Sequence, residues 1–224
     1  MGAVRVLIIG ASGGIGSALA TSFEQAGSEV TTLSRQADQF ELTDEASIAA
    51  AASKLAGRSF DRIVVATGAL TIDGVPPETS FSRLDPDIMA RSFAINASGP
   101  AMVIKHFAPM LPRKSPSVLA VLSARLASIG DNRLGGWMSY RASKAALNQV
   151  LRCAAVEYAR KRPQAVLLAL HPGTIPTALT APYARGRYTA SPEQSAAQLI
   201  SVMAGCSTAD TGGFFAYDGS AISW

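Results

Sequence analysis

The chain has 224 residues, 48% of them hydrophobic and 16% charged, which excludes a disordered protein and predicts one domain around a large core. Twenty Lys and Arg against sixteen Asp and Glu leave a charge of +4. That excess is not gathered into a stripe, which argues against a nucleic-acid partner. Two cysteines and two histidines lie far apart, so the sequence offers no metal-ligand spacing and no metal is expected. No apolar run approaches the roughly 18 residues of a membrane span. The N-terminal stretch also lacks the charged start and cleavage site of a signal peptide, so a cytoplasmic location is expected.

In chain order, the apolar run Val4–Ile9 reads as a strand and Ile15–Ala26 as a helix. Between them lies Gly10-Ala-Ser-Gly-Gly-Ile-Gly16, with glycines at 10, 14 and 16. Gly10 suits a tight turn, Gly14 a close approach of a pyrophosphate, and Gly16 close packing of helix on strand. Free amides at the helix start would then hold the phosphates. The spacing is not the usual G-x-G-x-x-G. Read differently, Gly10-Ala-Ser12-Gly-Gly14 fits the G-x-S-x-G elbow of a hydrolase, with His171 later in the chain. That elbow belongs after a central strand, not the first, so the hydrolase reading is set aside.

A second strand, Glu29–Leu33, ends in Ser34-Arg35. An acidic residue there would bind a ribose 2′-hydroxyl, whereas an arginine pairs with a 2′-phosphate, so the pair favours NADP(H) over NAD(H). A weaker strand is predicted around Gln39–Leu42, then a helix over Ala46–Leu55 and a strand over Ile63–Ala66. One long helix, Pro86–Leu111, carries Asn96 and leads to the strand Val118–Leu122, with Ser123 at its carboxyl end. A Gly-rich loop, Gly130–Trp137, precedes the helix Ser139–Arg160. On that helix Tyr140 and Lys144 are four apart and project from one face. A nearby ammonium lowers a tyrosine pKa toward the working range of an acid/base catalyst. The strand Ala165–Leu170, the loop His171–Pro182, the helix Pro192–Met203 and the strand Phe214–Ala216 complete the chain.

Short strands alternating with helices of ten residues or more imply parallel crossovers. The predicted fold is a single α/β domain over residues 1–224. It is a doubly wound, Rossmann-type sheet of seven mostly parallel strands with helices on both faces. Ligands in such a fold bind outside the carboxyl ends of the strands.

Gly10–Gly16, Asn96, Ser123, Tyr140-Arg-Ala-Ser-Lys144 and Pro172-Gly173 together resemble the short-chain dehydrogenase/reductase family, over essentially the whole chain. Ser128–Arg133, Gly135–Trp137 and Tyr217–Trp224 resemble its C-factor branch. The resemblance implies hydride transfer between NADP(H) and a small carbonyl or alcohol substrate. Tyr140 is then the general acid/base, Ser123 the partner of the substrate oxygen, and Lys144 the ligand of the nicotinamide ribose. Asn96 would hold a proton-relaying water. The turn residues Gly10, Ser12, Gly14, Ile15 and Gly16 would cradle the phosphates. Thr67-Gly68 would meet the adenosine ribose, and Glu41 and Leu42 the adenine. Pro172, Gly173, Ile175 and Thr177 would hold the nicotinamide end.

Two departures stand out. Ala66 replaces a sheet-bracing Asn of the family pattern, and Ser123 and Tyr140 are more widely spaced than usual, which places the extra loop beside the substrate. A dinucleotide-binding signalling or regulatory protein with little turnover is the alternative, favoured less because Ser123, Tyr140 and Lys144 are all present. Apolar positions Met102, Phe107, Leu147, Leu151 and Val156 predict a spare helical face and hence a homodimer or homotetramer. The tail Ala221–Trp224 would either complete a tetramer or fold back on its own sheet.

Overall fold

The computed structural model describes residues 2–224. It begins with β1 (Arg5–Ile9), α1 (Gly14–Gln25), β2 (Glu29–Leu33), α2 (Arg35–Asp38), α3 (Glu45–Lys54) and β3 (Arg62–Val65). It continues with α4 (Pro86–Phe93), α5 (Gly99–Phe107), β4 (Ser117–Leu122), α6 (Met138–Lys161) and β5 (Ala165–His171). The last elements are α7 (Ala181–Ala184), α8 (Pro192–Gly205) and β6 (Gly213–Ala216). Local chemistry starts several helices. Asp44 caps α3, Asp85 caps α4 ahead of Pro86, and Ser191 with Gln194 forms a capping box on α8.

The strands form one parallel sheet in the order β2-β1-β3-β4-β5-β6. Alternate residues of each strand feed two separate cores. Leu7, Ile9, Ile63, Val65, Leu119 and Val121 pack with α3, α5 and α6. Val6, Ile8, Val64, Val118, Ala120 and Val166 pack with α1 and α8 on the other face. Because β1 connects to β2 on one side and the chain then crosses to β3 on the other, the sheet splits open between the carboxyl ends of β1 and β3.

Among the described residues six strands are present, not seven. Gln39–Leu42 is not a strand: Gln39 ends α2 in the left-handed region, Phe40 is buried in the core, and the Glu41 amide bonds to Ser47 Oγ. The physical reason is length. A parallel crossover needs about a dozen residues, and the short α2 brings the chain only a few residues past β2.

The helix expected over 86–111 is interrupted. A π-helical turn, Ala94–Ser98, joins α4 to α5, and a 3₁₀ turn follows at Ala108–Met110. Pro100, without an amide to donate, sits just beyond the π turn. The spare apolar face is also smaller than expected. Phe107, Leu147 and Leu151 are core residues and Met102 is half-buried against them, which leaves Val156 exposed. The tail folds back on its own sheet: Ala221 bridges Phe215, the Ile222 amide donates to the Phe214 carbonyl, and Trp224 stacks on the Phe214 ring. No helix among the described residues is long and apolar enough to cross a membrane.

Candidate active site

The loops after β1, β3, β4 and β5 surround a cavity of about 1050 Å³. At one end lies the turn after β1. Gly10 has φ 93°, and a Cβ there would meet the Ala66 carbonyl oxygen at 2.7 Å, so only glycine fits between β1 and β3. A Cβ on Gly16 would collide with the Gly10 carbonyl, so these two glycines build the turn from behind. Gly13, Gly14 and Ile15 face the cavity. The first turn of α1 carries no side-chain cap and no acidic residue, which leaves its amides free for an anion.

Arg35 lines this end, but Ser34 does not. The Ser34 hydroxyl accepts from the Ala37 amide and its own amide donates to Asp38, so the residue is committed to capping α2. Glu41 and Leu42 also lie outside the cavity lining. The Glu41 carboxylate accepts from the amide and hydroxyl of Thr43, which hold its pKa below the usual value. Leu42 lies against the position a Gly99 side chain would take. Ser12 is exposed and does not line the cavity that His171 lines, so the hydrolase pairing is not assembled.

At the other end Ser123, Tyr140 and Lys144 all line the cavity and all are buried. Ser123 leaves the end of β4 and donates to Asn148 Oδ1 at 2.7 Å. Lys144 Nζ donates to the Leu122 carbonyl at 2.9 Å, and burial pulls its pKa down to about 8. Burial pushes the Tyr140 phenol up to about 12, the opposite direction to the lowering expected from Lys144. At neutral pH the phenol is protonated and able to act as an acid.

Asn96 sits in the π turn, fully buried behind the cavity lining. Its Oδ1 accepts from the Ala69 amide and its Nδ2 donates to the Ala69 carbonyl, both at 2.9 Å. This two-point clamp fixes the loop after β3. A Cβ on Gly68 would lie 3.2 Å from both Asn96 Oδ1 and Lys144 Nζ, so Gly68 lets that loop pass directly over the lysine. Thr67 and Gly68 line the cavity, as do Pro172, Gly173, Ile175 and Thr177 after β5.

Sequence reading missed three participants, Asn148, Glu78 and Tyr183. Asn148 is one turn beyond Lys144 and two beyond Tyr140, a helical spacing that could have flagged it. Glu78 is buried and accepts from the amide and hydroxyl of Ser139 at the start of α6. No local signal marks it. Tyr183, after β5, lines the cavity, and so does Trp137, at the end of the loop expected beside the substrate. His171, considered above only as a hydrolase partner, also lines it. Its pKa is lowered to about 4, first by burial and then by the charge of Arg125, so the ring is neutral.

A family model for short chain dehydrogenases matches residues 4–187. The chain belongs to that family. This short-chain dehydrogenase/reductase is 29% identical to a 1-hydroxy-2-glutathionyl-2-methyl-3-butene dehydrogenase of Rhodococcus sp. (strain AD45), over 98% of this chain and 99% of that one. It is 34% identical to the C-signal protein of Myxococcus xanthus over 61% of this chain and 78% of that protein. Among solved structures, a carbonyl reductase from Pseudomonas aeruginosa PAO1 superposes with a TM-score of 0.82 at 26% identity, over 99% and 100% of the two chains. A chain from Burkholderia multivorans solved with NADP bound gives 0.82 at 25% identity, over 100% of both.

The residues present fit a nicotinamide dinucleotide. The α1 amides are uncapped, the buried Thr67 Oγ1 has no partner, and the cavity lining contains Arg35, Arg125, Arg141, Lys144 and Arg187 with no carboxylate among the described residues. That charge balance suits an anionic ligand.

Proposed function

We propose that the protein is an NADPH-dependent reductase of carbonyl compounds, working reversibly on the corresponding alcohols. The observation that carries this reading is the convergence of Ser123, Tyr140 and Lys144 on one cavity whose other end is the bare α1 N-terminus with Arg35. The relative solved with bound NADP and the carbonyl reductase neighbour support it.

The α1 amides and Gly14 would hold the diphosphate, Arg35 the 2′-phosphate, and Ile175 and Thr177 the nicotinamide end. Bound between these groups, a reduced nicotinamide would supply the hydride that the carbonyl carbon accepts, the cofactor being oxidised in exchange. Tyr140, kept protonated by its burial, gives its phenolic proton to the carbonyl oxygen as the C=O bond becomes CH–OH. Ser123 points a hydroxyl at the same oxygen and stabilises its developing charge. That donation requires the Asn148 amide to present its Nδ2 to the serine oxygen. In the arrangement described above, Asn148 Nδ2 is buried without a partner, and turning the amide over gives it one. Lys144 would return a proton to Tyr140 and hold the ribose, while Asn96 would steady the loop that covers it.

NADPH oxidation against a panel of aldehydes and ketones tests the reading. Tyr140→Phe is expected to lower turnover by about 10²–10⁴-fold with NADPH binding retained. Wild-type rates in that variant would remove the acid role. The C-signal match carries a second reading, a dinucleotide-binding regulator; tight NADPH binding with no turnover across the panel would select it.

A further inference from the structure

Three loops meet above Tyr140, and their meeting point is aromatic. The Trp137 indole stands edge-on to the Tyr140 ring at 6.5 Å between centroids and to the Tyr183 ring at 5.5 Å. The Tyr183 hydroxyl hydrogen-bonds that of Thr71, which ties the loop after β5 to the loop after β3. Neither Trp137 nor Tyr183 belongs to either core cluster, yet both line the cavity.

The backbone at Trp137 is strained. Its φ of 53° and ψ of 42° lie in the left-handed region, where a bulky side chain is an outlier. Gly135 and Gly136 precede it with φ of 63° and 64°, so a third glycine would continue this turn without strain. The turn is pinned instead of relaxed. The Trp137 amide donates to the Glu78 carbonyl, and Arg141 Nε donates to the Gly136 carbonyl at 2.9 Å. Strain of this kind persists only where surrounding contacts over-determine it, and it clusters at ligand sites. Here its one visible result is an indole set beside the Tyr140 phenol.

We propose that Trp137 and Tyr183 form the substrate wall of this site and select carbonyl compounds whose carbonyl carbon bears a flat aromatic ring. The inference rests on the carbonyl-reductase reading and names its substrate class. Aromatic rings favour offset or edge-to-face contact with one another. Indole and phenol side chains also have few torsions to immobilise on binding. With Trp137 against Tyr140, a ring stacked on this wall brings its carbonyl to the phenolic proton. Leu126, Leu134 and Leu179 add apolar lining.

The test compares benzaldehyde with hexanal. The wild type should show a kcat/KM for benzaldehyde about tenfold above that for hexanal, the scale of one good aromatic contact. Trp137→Ala should lose most of that ratio, and Trp137→Phe should keep most of it. No aromatic preference in the wild type, or an equal loss on both substrates in Trp137→Ala, overturns the proposal. A second readout is independent of turnover. In a Trp224→Phe protein saturated with NADP⁺, Trp137 is the sole tryptophan. Acetophenone should quench its emission saturably, and linear quenching would overturn the wall. Saturable quenching without any carbonyl turnover keeps the wall and removes the reductase reading. Hexanal turnover with neither preference nor saturable quenching does the reverse.

Discussion

The two ends of the cavity are built in different ways. The end at β1 is made by one continuous stretch, strand to glycine turn to helix, and its shape depends on backbone groups. The end at Tyr140 is made by side chains that arrive from helix α6 and from the three loops after β3, β4 and β5. Ser123 meets Asn148 across 25 residues, Ser139 meets Glu78 across 61, and Thr71 meets Tyr183 across 112. A backbone cradle tolerates side-chain change as long as its glycines remain. An assembled side-chain cluster depends on every loop that contributes to it. The first end is therefore suited to a constant ligand and the second to a variable one.

Substitutions at each end sharpen that contrast. After Tyr140→Phe, the largest effect is expected at Arg35, the one side chain of the first end given a specificity role. Arg35→Ala should weaken NADPH by about tenfold to a hundredfold, the worth of a charge-assisted bond, while leaving NADH binding in place. Equal weakening of both cofactors, measured by fluorescence titration, would show that no 2′-phosphate contact is made.

The lysine at the Tyr140 end gives a pH signature. With its pKa drawn down to about 8 by burial, Lys144 carries its proton below that pH and loses it above. The ammonium attracts an anionic cofactor, so affinity is present at low pH and lost as pH rises. kcat/KM for NADPH, which reports the free enzyme, should therefore fall about tenfold between pH 7 and pH 9. A flat profile over that range would detach Lys144 from cofactor binding.

At the assembled end, Asn148→Leu removes the partner of Ser123 without touching the cofactor residues. A fall in kcat of up to about tenfold is expected, the worth of a hydrogen bond near 1 kcal/mol, with little change in the KM for NADPH. A variant that loses cofactor affinity and kcat together would mean that α6 itself had shifted. The smallest effect belongs to Glu78→Ala, which strips the acceptor from the start of α6. Loss of such a cap costs about 1 kcal/mol, which in a chain of this size lowers Tm by about 2–4 °C. An unchanged Tm would mean that water replaces the carboxylate there without loss.

The same contrast explains what the sequence could reveal. All six strands, the glycine turn and the Tyr140–Lys144 spacing are legible because each is written in residues a few positions apart. Asn148 was within reach of the same helical arithmetic. Glu78, Tyr183 and Thr71 were not, since nothing near them in the chain announces a partner sixty or a hundred residues away. The false strand at Gln39–Leu42 shows the opposite error. Its alternating Phe40 and Leu42 satisfy the strand pattern, but the chain between β2 and Gln39 is too short to cross over. Ser34 shows a role that spacing alone does not announce: its hydroxyl accepts from the Ala37 amide at a helix start.

The tail beyond β6 bears on how the molecule behaves in a crowded solution. A parallel sheet ends in strands whose outer row of amides and carbonyls invites another chain to pair. On the β6 side that row is occupied: the Ala216 amide donates to the Ser220 carbonyl and the Ile222 amide to the Phe214 carbonyl. Trp224 lies over Phe214 and covers its ring as well. The chain thus seals one margin of its own sheet with its last residues, and at that margin it offers neighbouring molecules no open strand on which to begin an aggregate.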